Sequence, residues 1–483
     1  MLNINIFQFF SFSFLFISIN AFSIIFPFKT IALNKNITSN EELYNISHFV
    51  HDHYSMPAYI SIKIGSPSQE IKFILTNEDC GFKIGQAKKC IKDKNYLSYY
   101  NRNLSSQFNF TENYTKRISE FQKGHSCSDR MEFSTDLSDI NNKIFFNDVG
   151  FYLGTDTTEE ICGILGLELN SYKMYCDDIN NIFESLKYNG IIQKQDWIIK
   201  YTNKYEGVFI ISPDIRKIIK NYDENKLFVT YTDKRVSGNS WNLIIDNVYS
   251  AGFNKTINKK KIRAEINNDI DLIEGDWDYY YHITLTYFKP YIKKSICKLE
   301  EITVGVYHYF AIECDKNKFN LNDMKQFPIL SLELVCFNTI FNFDYKDLFT
   351  ETEHKYFFNV IFNKFIDRWI FGKPVLRKYP LLIDNEAQTI GYYNENWEIL
   401  EEKNLEKNNY NKLYFYLVIF LVIILFVIIG VIFYFVGKNK NAKKKRRANE
   451  LLDDNFDYTP NKNISDISDN NNNFEKNRNI IDD

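Results

Sequence analysis

His48, His51 and His53 stand close together, and neutral imidazoles bind zinc well when a fold fixes their geometry. No further ligand is indicated beside them and His-Glu-x-x-His is absent, so the sequence implies no metal and no cofactor. A flexible polar lead-in before the first strand accounts for the three rings. A Gly-x-Ser-x-Gly elbow and a phosphate-binding P-loop are also missing, and no cysteine is evidently paired with a base. The eight cysteines therefore read as structural, and sequence alone does not choose their partners.

The ends of the chain say which compartment those cysteines meet. Phe7 to Phe28 is apolar, with no charge before Lys29, and reads as a signal peptide cut near Ala21 to Ser23, an uncleaved anchor being the other reading. Leu413 to Val436 is long enough to cross roughly 30 Å of hydrocarbon. Lys438, Lys440, Lys443, Lys444, Lys445, Arg446 and Arg447 follow it and hold that side in the cytoplasm. The expectation is a single-pass type I membrane protein with a luminal or extracellular body, where disulfides form. Acceptor triplets for N-glycosylation at Asn36, Asn45, Asn103, Asn109, Asn113 and Asn254 suit such a body.

With 483 residues, 45% hydrophobic and 25% charged, the chain can bury a large core. Its net charge of −3 and the lack of a basic, aromatic-interleaved stretch in the body argue against nucleic acid as a partner. Ile60, Ile62 and Ile64 alternate with polar residues, Gly65-Ser66-Pro67 supplies a turn, and Ile71, Phe73 and Leu75 alternate again, which predicts a β-hairpin. Short β-rich runs follow at Phe145–Leu153, Trp197–Tyr201, Gly207–Ser212, Leu227–Thr230, Trp241–Val248 and His282–Tyr287. Helical patterns are few, at Asp178–Tyr188 and Asp214–Asn221, and the body reads as all-β. The Asn- and Asp-rich tail reads as disordered.

Several runs occur in an order that resembles the pepsin-like aspartic proteases. Ile64-Gly-Ser-Pro-Ser-Gln69 looks like that family's opening strand and turn, and Cys162-Gly-Ile-Leu-Gly-Leu167 resembles its hydrophobic-hydrophobic-Gly segment. Gly207-Val-Phe-Ile-Ile-Ser212 resembles the strand linking the lobes, while Trp241–Val248 and Phe327–Leu334 are similar to strands of the second lobe. Trp369-Ile-Phe-Gly-Lys-Pro-Val-Leu-Arg-Lys-Tyr379, with Leu382–Glu386 and Ile390–Tyr393, looks like the closing segment. The resemblance implies a two-lobed fold: signal peptide 1–23, lead-in 24–56, first β lobe 57–205, second β lobe 206–397, juxtamembrane linker 398–412, span 413–436 and cytoplasmic tail 437–483.

Each lobe of that family supplies one aspartate, within Asp-Thr-Gly or Asp-Ser-Gly, and neither motif exists here. The resemblance puts Thr76 at the first aspartate, with Asn77 and Glu78 after it, and Asn267 at the second, within Ala264–Ile273. Neither Thr76 nor Asn267 acts as a base near neutral pH, though they could hydrogen-bond each other or a trapped water. Phe121 and Gly124 fall where the family's flap covers bound peptide, so Thr76, Phe121, Gly124 and Asn267 are the expected ligand cleft. Cys314 and Cys336 are the disulfide that the resemblance suggests. Asp79, Asp269 and Asp271 read as solvated loop residues, out of register for substitute catalysis. The expected function is peptide or protein binding by an inactive ectodomain; the alternative is an active membrane-bound aspartic endopeptidase.

Overall fold

The computed structural model describes residues 23–30, 44–77, 79, 81–85, 100–111, 116–117, 123–134, 143–154, 163–169, 181–213, 215–233, 240–250, 255–258, 261–395, 443–444 and 447. Residues 1–403 form one compact unit and residues 404–483 another, and all elements below belong to the first. The expected leader apart from Ser23, the linker and the membrane span lie outside the described residues, as do Phe121, Asn36, Asn113 and Asn254. Among the described residues no helix is long and apolar enough to cross a membrane. In the expected disordered tail, Lys443, Lys444 and Arg447 are helical and exposed.

Among the described residues the body is built mostly of strands, in sheets of fourteen, nine and four. The predicted hairpin forms in the expected register, Ala58–Ile64 pairing antiparallel with Gln69–Thr76 from Ala58 opposite Leu75 to Ile64 opposite Gln69. Ile60, Ile62, Ile64, Ile71, Phe73 and Leu75 are all buried, so the two-residue period of the sequence becomes one apolar face on the core.

A small arrangement of strands occurs twice. Gly163–Gly166 lies parallel to Gln69–Thr76 on one side and antiparallel to Phe82–Gly85 on the other. Trp369–Phe371 likewise lies parallel to Ile262–Ile266 and antiparallel to Ile273–Glu274. In both copies a strand runs out into a polar loop and the chain returns on the far side of a short central strand. The first loop follows Thr76 and the second begins at Asn267.

The structure departs from the sequence reading in three elements and one covalent bond. Residues 24–56 are not merely a lead-in: Ile24–Thr30 is a strand inside the fourteen-stranded sheet, bonded to Glu206–Ile211 and Ala58–Ile64, with Ile24, Phe26 and Phe28 buried. Ile46–Tyr54 is a helix, capped by the Asn45 side chain accepting from His48 N. Its Ile46, Phe49 and Val50 pack against Ile270, Leu272 and Phe357. His282–Tyr287, expected as a strand, is helical: Asp276 caps Trp277–Ile283, and a π turn follows over Thr284–Phe288. Buried Tyr279 and Ile283, one turn apart, set the inward face, and that packing outweighs the β preference of the Tyr, Thr and Ile residues.

The expected Cys314–Cys336 bridge is also corrected. Cys314 stands directly opposite Cys297 across the antiparallel pair Cys297–Val304 and Tyr307–Asp315, and the two form a disulfide. Cys336, in the turn Val335–Phe337, is a free thiol, as is buried Cys127.

Candidate functional site

The two polar loops meet. Gln69–Thr76 delivers the first, which is tied to the strand beside it by Leu167 N donating to Thr76 O at 2.7 Å and Gly166 N to Gly81 O at 2.8 Å. Ile262–Ile266 delivers the second, held in the matching way by Asn267 N donating to Phe371 O at 3.1 Å and Lys373 N to Ile270 O at 2.8 Å. Between the loops, Thr76 Oγ1 donates to Asp269 Oδ2 at 2.8 Å and Asn77 N donates to the same oxygen at 3.0 Å. Asn268 N returns a bond to Asn77 Oδ1 at 2.8 Å, and Tyr201 OH donates to Asn268 Oδ1 at 2.6 Å.

Thr76 and Asn267 are thus brought to one place, but Asn267 is not the partner of Thr76. The Asn267 side chain accepts from the backbone N of Asp269 at 2.8 Å, closing a turn within its own loop. That turn presents the Asp269 carboxylate to the hydroxyl. Reading Asp269 and Asp271 as solvated was wrong: they are 8% and 3% exposed. Asp79 is committed elsewhere, accepting from Gly81 N at 2.8 Å and pairing with Lys83. Gly124 pairs with Gly154, and its nearest packing neighbours are Tyr152, Leu153 and Gly154, none of them from either loop. Among the expected glycosylation sites, Asn103 and Asn109 are exposed and Asn45 is partly buried at its helix cap.

Charged groups support the second loop from behind. Arg377 Nη1 pairs with Asp271 Oδ1 at 2.6 Å, and His53 Nε2 lies 3.9 Å from Asp271 Oδ2. His53 sits on a packed helix rather than in a flexible lead-in, and burial lowers its basicity. The helix end also grips the loop backbone, with Met56 N donating to Asp269 O at 2.9 Å and Asp271 N to His53 O at 2.7 Å. Among the described residues no three His, Cys, Asp or Glu side chains converge to hold a metal ion.

Lys373 opens the short helix Lys373–Lys378, is wholly buried, and its Nζ has no hydrogen-bond partner among the described residues. Burial pushes its ammonium down to about 8 from 10.5, against the pull of Asp271 and Asp269. Glu274, also buried, is pushed by burial from 4.5 up to about 8 despite Arg368. The two act on stability with opposite sign. A carboxyl raised on folding gives stability that is lost as pH rises from 4.5 through 8, because the unfolded chain ionises first. An ammonium lowered on folding gives stability that is absent below 8 and grows toward 10.5. Unfolding free energy measured against pH should therefore fall and then recover, with Glu274→Gln flattening the falling limb and Lys373→Met the rising one.

The described site has a carboxylate on one side and a hydroxyl on the other. A hydroxyl donating to a carboxylate is a stable, neutral-to-anionic hydrogen bond that fixes two loops; it does not hold a shared proton between two acids. Asp269, Asn267 and Asn268 are buried, and their acceptor oxygens at Asp269 Oδ2, Asn267 Oδ1 and Asn268 Oδ1 are taken within and between the loops, so the contact holds the two loops together. No protein-family model matches the chain, and no curated protein matches it.

Proposed function

We propose that the chain is a membrane-anchored, pepsin-like ectodomain without proteolytic activity, which binds a peptide or protein ligand on the luminal or extracellular side. The bond from Thr76 to Asp269 carries this reading. Aspartic proteolysis requires two carboxyls close enough to share one proton, one activating water while the other polarises the scissile carbonyl. Thr76 offers a hydroxyl that does not ionise near neutral pH, and Asp79, which an active endopeptidase could have used instead, is held by Lys83 and Gly81.

The repeated strand arrangement supports a two-lobed, pepsin-like fold, since each copy ends in a polar loop and the loops meet as the two motif loops of that family do. Membrane anchorage rests on the apolar run at 413–436 and the basic cluster after it. The test is a calorimetric titration with two peptides that differ only in a central tetrahedral alcohol. Transition-state mimics gain affinity from groups that act only in the transition state. Here the alcohol and its deoxy counterpart should bind within about threefold of each other at pH 4 and pH 7. An advantage of about a hundredfold or more for the alcohol would sink the reading.

A further inference from the structure

The strand Phe349–Glu351 is the last strand of the nine-stranded sheet and, among the described residues, pairs on one side only, with Lys355–Phe358. Thr352 N donates to Lys355 O at 2.9 Å, so the next bonded pair in this antiparallel ladder is Thr350 with Phe357. The backbone N–H and C=O of Glu351 then point away from the sheet. An exposed edge of this kind is a template for another extended chain.

The same strand lines an open cavity of about 550 Å3. Four cations reach its wall, Lys204, Lys346, Arg377 and Lys378, against two carboxylates, Asp347 and Glu351. Both carboxylates are already matched, Asp347 by Lys378 at 2.6 Å and Glu351 by Lys316 at 2.5 Å, and Arg377 is matched by Asp271. Lys204 and Lys346 have no carboxylate partner among the described residues; each lies over the ring of its sequence neighbour, Tyr205 at 5.5 Å and Tyr345 at 6.0 Å. On a chain whose net charge is −3, this cavity is locally positive.

We propose that this edge and cavity dock an extended acidic peptide, its backbone pairing with the outward N–H and C=O of Glu351 and its carboxylates meeting Lys204 and Lys346. The surface is separate from the Thr76–Asp269 contact, and its Arg377 pairs with Asp271 of the second loop. A peptide fits better than a sulfated glycan for two reasons: a strand edge reads peptide backbone, and Asp347 and Glu351 in the wall disfavour a dense polyanion.

The test uses the full-length chain in detergent micelles and a fluorescent Glu-Val-Glu-Val-Glu-Val peptide, read by anisotropy. Replacing each Glu of the probe with Gln should weaken binding roughly tenfold, and so should the double variant Lys204→Gln/Lys346→Gln at unchanged thermal midpoint. Methylating alternate backbone amides of the probe should cost about as much, because the strand contacts go. Equal binding of the probe by the double variant, or of the methylated and plain probes, overturns the proposal. So does tighter binding of a heparin hexasaccharide, which would assign the cavity to a glycan.

Discussion

Asp269→Ala is expected to destabilise the 24–403 fragment by about 3–5 kcal/mol, a cost set by what the lost carboxylate leaves behind. Thr76 Oγ1 and Asn77 N both donate to its Oδ2, and both would lose a buried acceptor. The ammonium of Lys373, already without a hydrogen-bond partner among the described residues, would lose one of the two carboxylates that oppose its desolvation. Leaving a buried charge less compensated is far more costly than deleting a well-packed pair. Asp269→Asn keeps the shape and one acceptor oxygen, so it should lose less. Urea unfolding of the three proteins at pH 7 separates these outcomes, and near-equal midpoints would mean that the two loops do not depend on Asp269.

Gly372→Ala is expected to cost at least about 4 kcal/mol, although it adds a single methyl group. A Cβ at Gly372 would lie 2.0 Å from the carbonyl oxygen of Leu272 and 2.5 Å from that of Ile270. Both are backbone atoms, so no side chain can swing away. Yielding would mean moving the second loop off the strand Trp369–Phe371 and stretching the bonds from Asn267 N to Phe371 O and from Lys373 N to Ile270 O. The backbone of Gly372 is ordinary extended chain, with φ of −79°, so close approach and not conformational freedom is what requires glycine. Poor yield of folded protein, or a midpoint lowered by many degrees, is the expected readout; wild-type stability would show that the loop packs less closely than 2.0 Å implies.

Much of the sheet architecture was legible because strands write their burial into the sequence with a period of two. The hairpin from Ala58 to Thr76 is the clearest instance; Asp196–Tyr201 and Glu206–Ile211, buried along almost their whole length, and Leu227–Tyr231 lie within a residue or two of expectation as short β-rich runs, without alternation to mark them. The helix Ile46–Tyr54 was not legible, since three histidines and an aspartate dilute its apolar stripe, and its inward face exists only because Ile270, Leu272 and Phe357 wait for it. Trp277–Phe288 misled for the opposite reason: aromatic and β-branched residues favour strands, yet Asp276 caps a helix there.

At the site, the loops that carry Thr76 and Asn267 meet, and the bond between them was not legible. Sequence spacing does not reveal that Asn267 turns back onto Asp269 N, and that local turn is what exchanges one side chain for another at the contact. A usable signal was present in Lys373 and Arg377. Two cations next to Gly372, in a segment with apolar Ile370, Phe371, Val375 and Leu376, point to buried carboxylates nearby, and Asp269 and Asp271 were the candidates. The disulfide was missed for a similar reason, because Cys297 and Cys314 become neighbours only through the register of one hairpin.

The most direct test of the central claim is to incubate the purified 24–403 fragment with a mixed peptide library between pH 3 and pH 7, with and without a transition-state inhibitor of aspartic proteases. With one carboxylate facing a hydroxyl, the expected result is no inhibitor-sensitive cleavage at any pH. Cleavage with an acidic optimum that the inhibitor blocks would contradict it, because such activity needs a second carboxyl opposite Asp269.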